Sequence, residues 1–141
     1  MSDAPYPLPG PKPPGLNGDW YRHLAAGTLV FQRCSDCGAW HHPPRLLCSA
    51  CGSESWTWEP AAGTGEVFSW TVCHQSPLPD FAAIVPYAVL VVELDEGMRV
   101  VCSARGIENS VLRLGLPVEL RIERVDSESA LPYAVSVRES N

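Results

Sequence analysis

Cys34-Ser35-Asp36-Cys37-Gly38 and Cys48-Ser49-Ala50-Cys51-Gly52 are two copies of one small device. In each, two cysteines three positions apart flank a tight turn, and a glycine follows the second. The turn aims backbone N–H groups at the first sulfur, and Gly38 and Gly52 can take the positive φ that tucks the chain beneath an ion. Four thiolates then converge tetrahedrally, the preferred structural geometry of Zn²⁺. The ten residues between Cys37 and Cys48, with Pro43 and Pro44 in their middle, suit a hairpin between the two knuckles. Four unrelated buried cysteines would not share both the spacing and the trailing glycine. A rubredoxin-type iron centre, which would make the chain a small redox carrier, uses the same paired knuckles. The short gap fits a structural, rubredoxin-like zinc ribbon better. Cys34, Cys37, Cys48 and Cys51 are therefore the expected metal ligands. Four thiolates fill the coordination shell, so no zinc-bound water and no zinc hydrolysis are expected.

The ribbon is read over residues 28–62, which also hold Trp40, Trp56 and Trp58 and the adjacent His41 and His42. Because the thiolates already complete the site, the two histidines are read as surface residues or as supports of the ligands. Upstream, residues 1–17 form a proline-rich arm, with six prolines in the first fifteen positions. Such a run is extended rather than helical and is read as a loose terminus. A short helix over 18–27 follows, with Asn17 or Asp19 at its start, Gly27 at its end, and Trp20, Tyr21 and Leu24 on one face. A helix this short must dock on the chain's own core or on a partner.

Downstream, the small-residue turn from Ala61 to Gly65 opens a β region read over 63–141. Glu66 to His74 alternates, placing Phe68, Trp70 and Val72 on one face. Tyr87 to Leu94 is a nearly continuous apolar run, as in a strand buried on both faces. Arg99 to Ala104 is a short third strand. Ile107 to Leu114 has helical spacing, Pro117 to Val125 alternates cleanly, and Pro132 to Arg138 closes the chain. Three strands, a short helix and two strands are the order of the five-stranded OB barrel. The expected fold is mainly β: a short helix, a zinc ribbon and an OB-fold. Cys73 and Cys102 fall inside strands without a paired cysteine and are read as buried small hydrophobes.

Composition narrows the function. The chain has 141 residues, 14 prolines and 11 glycines, which disfavours a helical bundle. Its formal net charge is -6, and its single lysine is Lys12. Phosphate contacts need Lys and Arg, so no nucleic-acid partner is expected. The longest apolar stretch, Phe81 to Val92, is interrupted by Pro86 and too short to span a bilayer. With no apolar leader at its start, the chain is expected to be cytoplasmic, its thiols reduced or metal-bound. No G-x-S-x-G, H-E-x-x-H, P-loop or dinucleotide fingerprint occurs, and no carboxylate pair stands out for acid–base work. No catalytic residues are assigned.

Further motifs carry a family resemblance. They are Gly63-Thr-Gly-Glu-Val67-Phe-Ser-Trp-Thr71-Val-Cys-His74, Pro86-Tyr87, Val91-Val-Glu-Leu-Asp-Glu-Gly97 and Leu112-Arg-Leu-Gly-Leu-Pro-Val118. With the knuckle pair and the Trp-Tyr helix, they resemble the acyl-CoA-associated zinc-ribbon/OB-fold family, long catalogued as a domain of unknown function. The resemblance runs from about Asp19 to the C-terminus and leaves out the arm. It implies a non-catalytic accessory subunit of a thiolase-like enzyme, of the thiolase or steroid side-chain aldolase type. In such assemblies the ribbon and helix meet the lipid-transfer-protein-type partner, and the barrel helps to hold or channel the acyl-CoA.

On this reading Trp20, Tyr21 and Trp40 are partner anchors, because aromatic residues dominate protein interfaces. Arg45 is a candidate for a CoA phosphate or an acidic partner group. Phe81, in the loop from Gln75 to Val85, is a candidate wall of an acyl channel, and His74 sits where the barrel's ligand-facing loop begins. The competing reading is a zinc-ribbon/OB module for single-stranded nucleic acid, whose bases would stack on barrel aromatics. The acidic charge argues against it.

Overall fold

A computed structural model of the protein describes residues 8–137. The chain leaves the proline-rich segment at Pro14, whose extended backbone precedes helix α1, Gly15–Ala25. The helix therefore begins three residues before the expected start, and Asn17 and Asp19 lie inside it rather than capping it. Asp19 instead pairs with Arg22 one turn later. Gly27 closes the helix, its N–H donating to the Leu24 carbonyl at 2.9 Å. Trp20 and Leu24 are buried and Tyr21 is half-buried, so the expected face does pack inward.

Where described, the arm touches the barrel. Lys12 reaches Asp126, between Arg124 and Ala130, at 3.5 Å, and Gly10 lies against Val125. The first seven residues of the expected arm lie outside the described residues.

The ribbon is a three-stranded antiparallel sheet in the order β2-β1-β3: β1 is Val30–Cys34, β2 Trp40–His41 and β3 Trp56–Pro60. β1 is central, pairing Gln32 with His41 on one side and with Trp58 on the other. The indole N–H of Trp20 donates to the Val30 carbonyl at 2.7 Å, tying α1 to β1.

Five strands then close into a barrel of order β4-β5-β6-β8-β7: β4 Thr64–Cys73, β5 Tyr87–Leu94, β6 Arg99–Ala104, β7 Pro117–Arg124 and β8 Ala130–Ser136. All pairs are antiparallel except β6 with β8, and β7 returns to β4 through Gly65 and Val118. Closure leaves no free sheet edge. A four-residue helix α2, Pro79–Ala82, sits in the β4–β5 connection.

Three local readings are corrected. Phe68 does not share the inner face of β4: Val67 pairs with Val92 and Ser69 with Val91, so Phe68 is the extra residue of a β-bulge. The bulge reverses the alternation, making Val67 the core residue, while Phe68 lies outside with the Arg99 guanidinium 3.7 Å above its ring. β5 is not buried on both faces. Ala88, Leu90, Val92 and Leu94 fill the core, while Tyr87, Val89 and Val91 are only half-covered. The expected helix over 107–114 shrinks to a 3-10 turn, Asn109–Val111. Its apolar residues split: Leu112 turns inward, whereas Val111 and Leu114 face solvent.

One apolar cluster runs through the molecule. It joins Leu90, Val92, Val100 and Val118 of the barrel to Trp20 and Leu24 of α1 and Phe31 of the ribbon. Among the described residues no helix is long and apolar enough to cross a membrane.

Candidate metal centre and seam cavity

The two knuckles have the same backbone geometry. In the first, Gly38 N–H donates to the Cys34 carbonyl at 3.0 Å and Cys34 N–H to the Ala39 carbonyl at 2.8 Å. In the second, Gly52 N–H donates to Cys48 at 2.8 Å and Cys48 N–H to Ser53 at 2.9 Å. Gly38 and Gly52 take φ of 77° and 79°, a conformation disfavoured for any residue with a Cβ. The Ser53 hydroxyl donates to Asp36 and so joins one knuckle to the other.

The four sulfurs of Cys34, Cys37, Cys48 and Cys51 all lie within 4.8 Å of one another. Cys34 and Cys51 are 3.6 Å apart, and Cys37 and Cys48 are 3.5 Å apart. A tetrahedron with zinc–sulfur bonds of about 2.3 Å has edges of ~3.8 Å. The separations match that figure and are far beyond a disulfide bond. Backbone N–H groups favour the thiolate at the first cysteine of each knuckle, whereas the neighbouring sulfurs and burial hold Cys37 and Cys51 up. The Cys37 amide, helped by that of Asp36 and opposed by burial, lowers the Cys34 thiol to about 6 and favours the thiolate that a metal needs. Ala50 N–H points at the Cys48 sulfur from 3.4 Å. The donor set, spacing and geometry fit a closed tetrathiolate zinc site.

His41 and His42 are not surface residues. His41 is buried on β2. His42 packs between two aromatic rings, 4.5 Å from Trp20 and 5.2 Å edge-on from Phe31. Burial, with the Arg45 charge second, pushes the His42 imidazole down to about 4, so it is neutral at physiological pH. Neither histidine joins the sulfur cluster. The loop that follows is held from inside: the fully buried Gln32 amide donates to the Arg45 carbonyl at 3.0 Å and accepts from the Arg45 N–H at 2.8 Å. That clamp presents Leu46 and Leu47, 72% and 53% exposed, at the tip between the knuckles.

A cavity of about 780 Å³ opens along the seam between helix, ribbon and barrel. Trp20, Tyr21 and Phe81, three of the residues singled out for partner or acyl contact, meet in its wall. His42, Val89 and Val101 also line it, together with the charged Arg99, Arg105 and Glu123. Tyr87 and Val89, on the outward face of β5, thus line the cavity, which gives those two apolar residues a place outside the core. Trp40, Arg45 and His74 do not line the cavity. Trp40 lies on β2 with the Arg33 guanidinium 5.0 Å from its ring, and His74 is exposed after β4.

His42 was missed as a cavity residue because its neighbours Trp20 and Phe31 are distant in sequence. The usable signal was its place beside Pro43, where the chain must turn out of β2. Cys102 is buried, and burial pushes its thiol up to about 12, consistent with an inert small hydrophobe. Cys73 is only partly buried and lies beside Tyr87.

Comparison with known proteins matches the same two units. Residues 22–57 match the ChsH2 rubredoxin-like zinc ribbon domain, and residues 58–123 the ChsH2 C-terminal OB-fold domain. A solved Ltp2-ChsH2(DUF35) aldolase contains a chain 39% identical, superposing with a TM-score of 0.79 over 89% of this chain and 98% of that one. A DUF35 domain-containing scaffold protein of Methanothermobacter thermautotrophicus is 30% identical over 77% of this chain and 82% of its own length. A probable enoyl-CoA hydratase alpha subunit of Thermomonospora curvata is 41% identical over 84% of this chain, which spans only 38% of that relative. The chain belongs to the DUF35 family of ChsH2-type zinc-ribbon/OB-fold proteins.

Proposed function

We propose that this chain is a non-catalytic accessory subunit of a thiolase-like enzyme, and that it helps to hold or channel the partner's acyl-CoA. The observation that carries the reading is the seam cavity. It is large, mostly apolar and ringed by aromatic residues, and its size falls within the range of small-ligand sites. Cys102 is in its lining, but burial pushes that thiol up to about 12, which does not suit a nucleophile. The carbon–carbon bond chemistry therefore belongs to the partner, a lipid-transfer-protein-type thiolase relative acting on acyl-CoA, of which steroid side-chain thioesters are one class.

The ribbon supports the docking half of the reading. A site in which four thiolates surround one Zn²⁺ is structural, and it makes rigid a tip that exposes Leu46 and Leu47. Rigid apolar projections lose little conformational entropy on association. The related Ltp2-ChsH2(DUF35) aldolase and the DUF35 scaffold proteins are consistent with the same role. We place the assembly in the cytoplasm, where reduced thiols remain available to the metal.

Co-expression with a thiolase-like subunit of the lipid-transfer-protein type tests the reading. The two chains should co-migrate in size exclusion at micromolar concentration with zinc bound to this subunit. Separate migration of two folded, zinc-loaded proteins would overturn it.

A further inference from the structure

The proline-rich arm is fitted to the molecule at several points. Helix α1 carries a buried glycine, Gly18, at a place where alanine would favour the helix. A Cβ there would collide with the Pro13 carbonyl, so the bare glycine lets the chain fold back alongside the helix it is about to enter. Gly10 is as confined: a Cβ there would stand 2.5 Å from Val125 Cγ1. Between these two points Lys12 meets the Asp126 carboxylate at 3.5 Å. Oδ1 of that carboxylate accepts from the Glu128 and Ser129 N–H groups at 2.8 and 2.9 Å, which leaves Oδ2 facing Lys12. The turn between β7 and β8 therefore holds the counter-charge in place by itself. Leu8, two residues before Gly10, is half-buried and lines the seam cavity together with Leu131 and Pro132 of β8. Tyr21 lines both that cavity and the small crevice bordered by Pro11, Lys12 and Pro13.

We propose that residues 8–14 are a strap over the seam cavity: Leu8 forms a movable part of its wall, and the Lys12–Asp126 pair latches the strap, so that an apolar ligand is released when the strap swings away. The inference rests on the reading of the cavity as a ligand site and adds how that site opens and closes. Pro9, Pro11, Pro13 and Pro14 stiffen the strap, so docking it costs little chain entropy. The latch is not a permanent tie. The Lys12 side chain is 74% exposed, and ion pairs in such positions are weak and screened by salt. A fixed wall would be held by buried apolar contacts, whereas one hung from an exposed ion pair opens readily.

The test is stopped-flow fluorescence of the zinc-loaded chain with N-phenyl-1-naphthylamine, a neutral apolar probe, alongside methyl spectra that locate it. Binding should shift the methyl signals of Val89 and Val101 together with those of Leu8. Lys12→Ala should speed release of the probe by about 3- to 5-fold, the factor an exposed ion pair can supply. Added salt should speed release from the wild type toward the same rate and leave Lys12→Ala unchanged. Gly18→Ala, which favours the helix and drives Pro13 away, should speed release at least as much. Leu8→Ala should weaken binding of the probe by about 5-fold through lost apolar contact.

Leu8 methyl signals that stay in place while those of Val89 and Val101 move would overturn the proposal. Equal release rates for the wild type and Lys12→Ala, or a wild-type rate indifferent to salt, would do the same. Should Gly18→Ala fail to fold, Lys12→Ala and the salt series decide the question. Val89 and Val101 methyls that ignore the probe defeat the cavity as a ligand site, and the strap with it. Methyls that respond, with release rates unmoved, sink the strap alone. Failure to co-migrate with a thiolase-like subunit sinks only the accessory role.

Discussion

The ribbon and the barrel solve the problem of small size in opposite ways. The barrel buries Leu90, Val92, Val100 and Val118 almost completely and has every strand paired on both sides. The ribbon has three short strands, one of only two residues, and of these only Phe31 is fully buried in the continuous core, with Trp40 and Trp58 packed against it partly exposed. A unit that small cannot bury enough apolar surface to offset its lost chain entropy. Two of its most buried side chains, Cys34 and Cys48, are metal ligands rather than hydrocarbons. The difference teaches that barrel stability is spread over many contacts, whereas ribbon stability is concentrated at one point.

The strongest test of that contrast is metal removal. Structural zinc in small domains contributes on the order of 10 kcal/mol to folding. Cys37→Ser, or a strong chelator, should abolish stoichiometric zinc and expose the amides of residues 30–60 to rapid hydrogen exchange. The barrel strands, with their own core, should stay protected. Full protection of the ribbon in a metal-free preparation would erase the distinction.

The reciprocal test is Leu90→Ala. Truncating this fully buried side chain should cost about 2–5 kcal/mol in global unfolding, measured by denaturant titration, while zinc content remains one per chain. A third test probes the seam joining the two units. His42 is held down to about 4, below its ordinary 6.5. As pH falls below 6.5, the unfolded chain takes up a proton that the folded chain refuses. Stability is therefore complete above about 6.5 and is lost between 6.5 and 4, by up to about 3 kcal/mol. The difference between wild type and His42→Phe, measured across that window, isolates this contribution from acid release of zinc. Parallel profiles would show that the seam is not proton-sensitive.

The smallest effect is expected at the tip. Leu46→Ala should change stability by less than about 0.5 kcal/mol, because the side chain is largely exposed. Its effect should appear only in association with the proposed thiolase-like partner, as faster dissociation. A loss of stability comparable to that of Leu90→Ala would place Leu46 in the ribbon's core instead.

Much of the fold was legible because its signals are local. The CxxCG pairs depend on residues three positions apart and on a turn that glycine permits. The strand order follows from alternation in segments such as Pro117–Arg124, where Val118 and Leu120 do point inward. The misreadings fall where tertiary context overrides the local pattern. A bulge at Phe68 adds one residue and reverses a strand's faces without changing its composition. Apolar residues on the outer face of β5 look like core until the wall opposite them is known. The helix over 107–114 was drawn from a spacing that Val111 and Leu114, both exposed, do not use.

The sequence alone therefore determined the tetrathiolate chemistry, the chain order of the barrel strands and the net charge of -6, because each depends on residue type and near-neighbour spacing. Only the tertiary structure decided that Trp20, Tyr21, His42 and Phe81 share one cavity, and that Gln32 holds the Arg45 loop in place. Those groupings unite segments up to about sixty residues apart. No periodicity encodes them, because they arise when α1 and the ribbon pack against the outer face of a closed barrel.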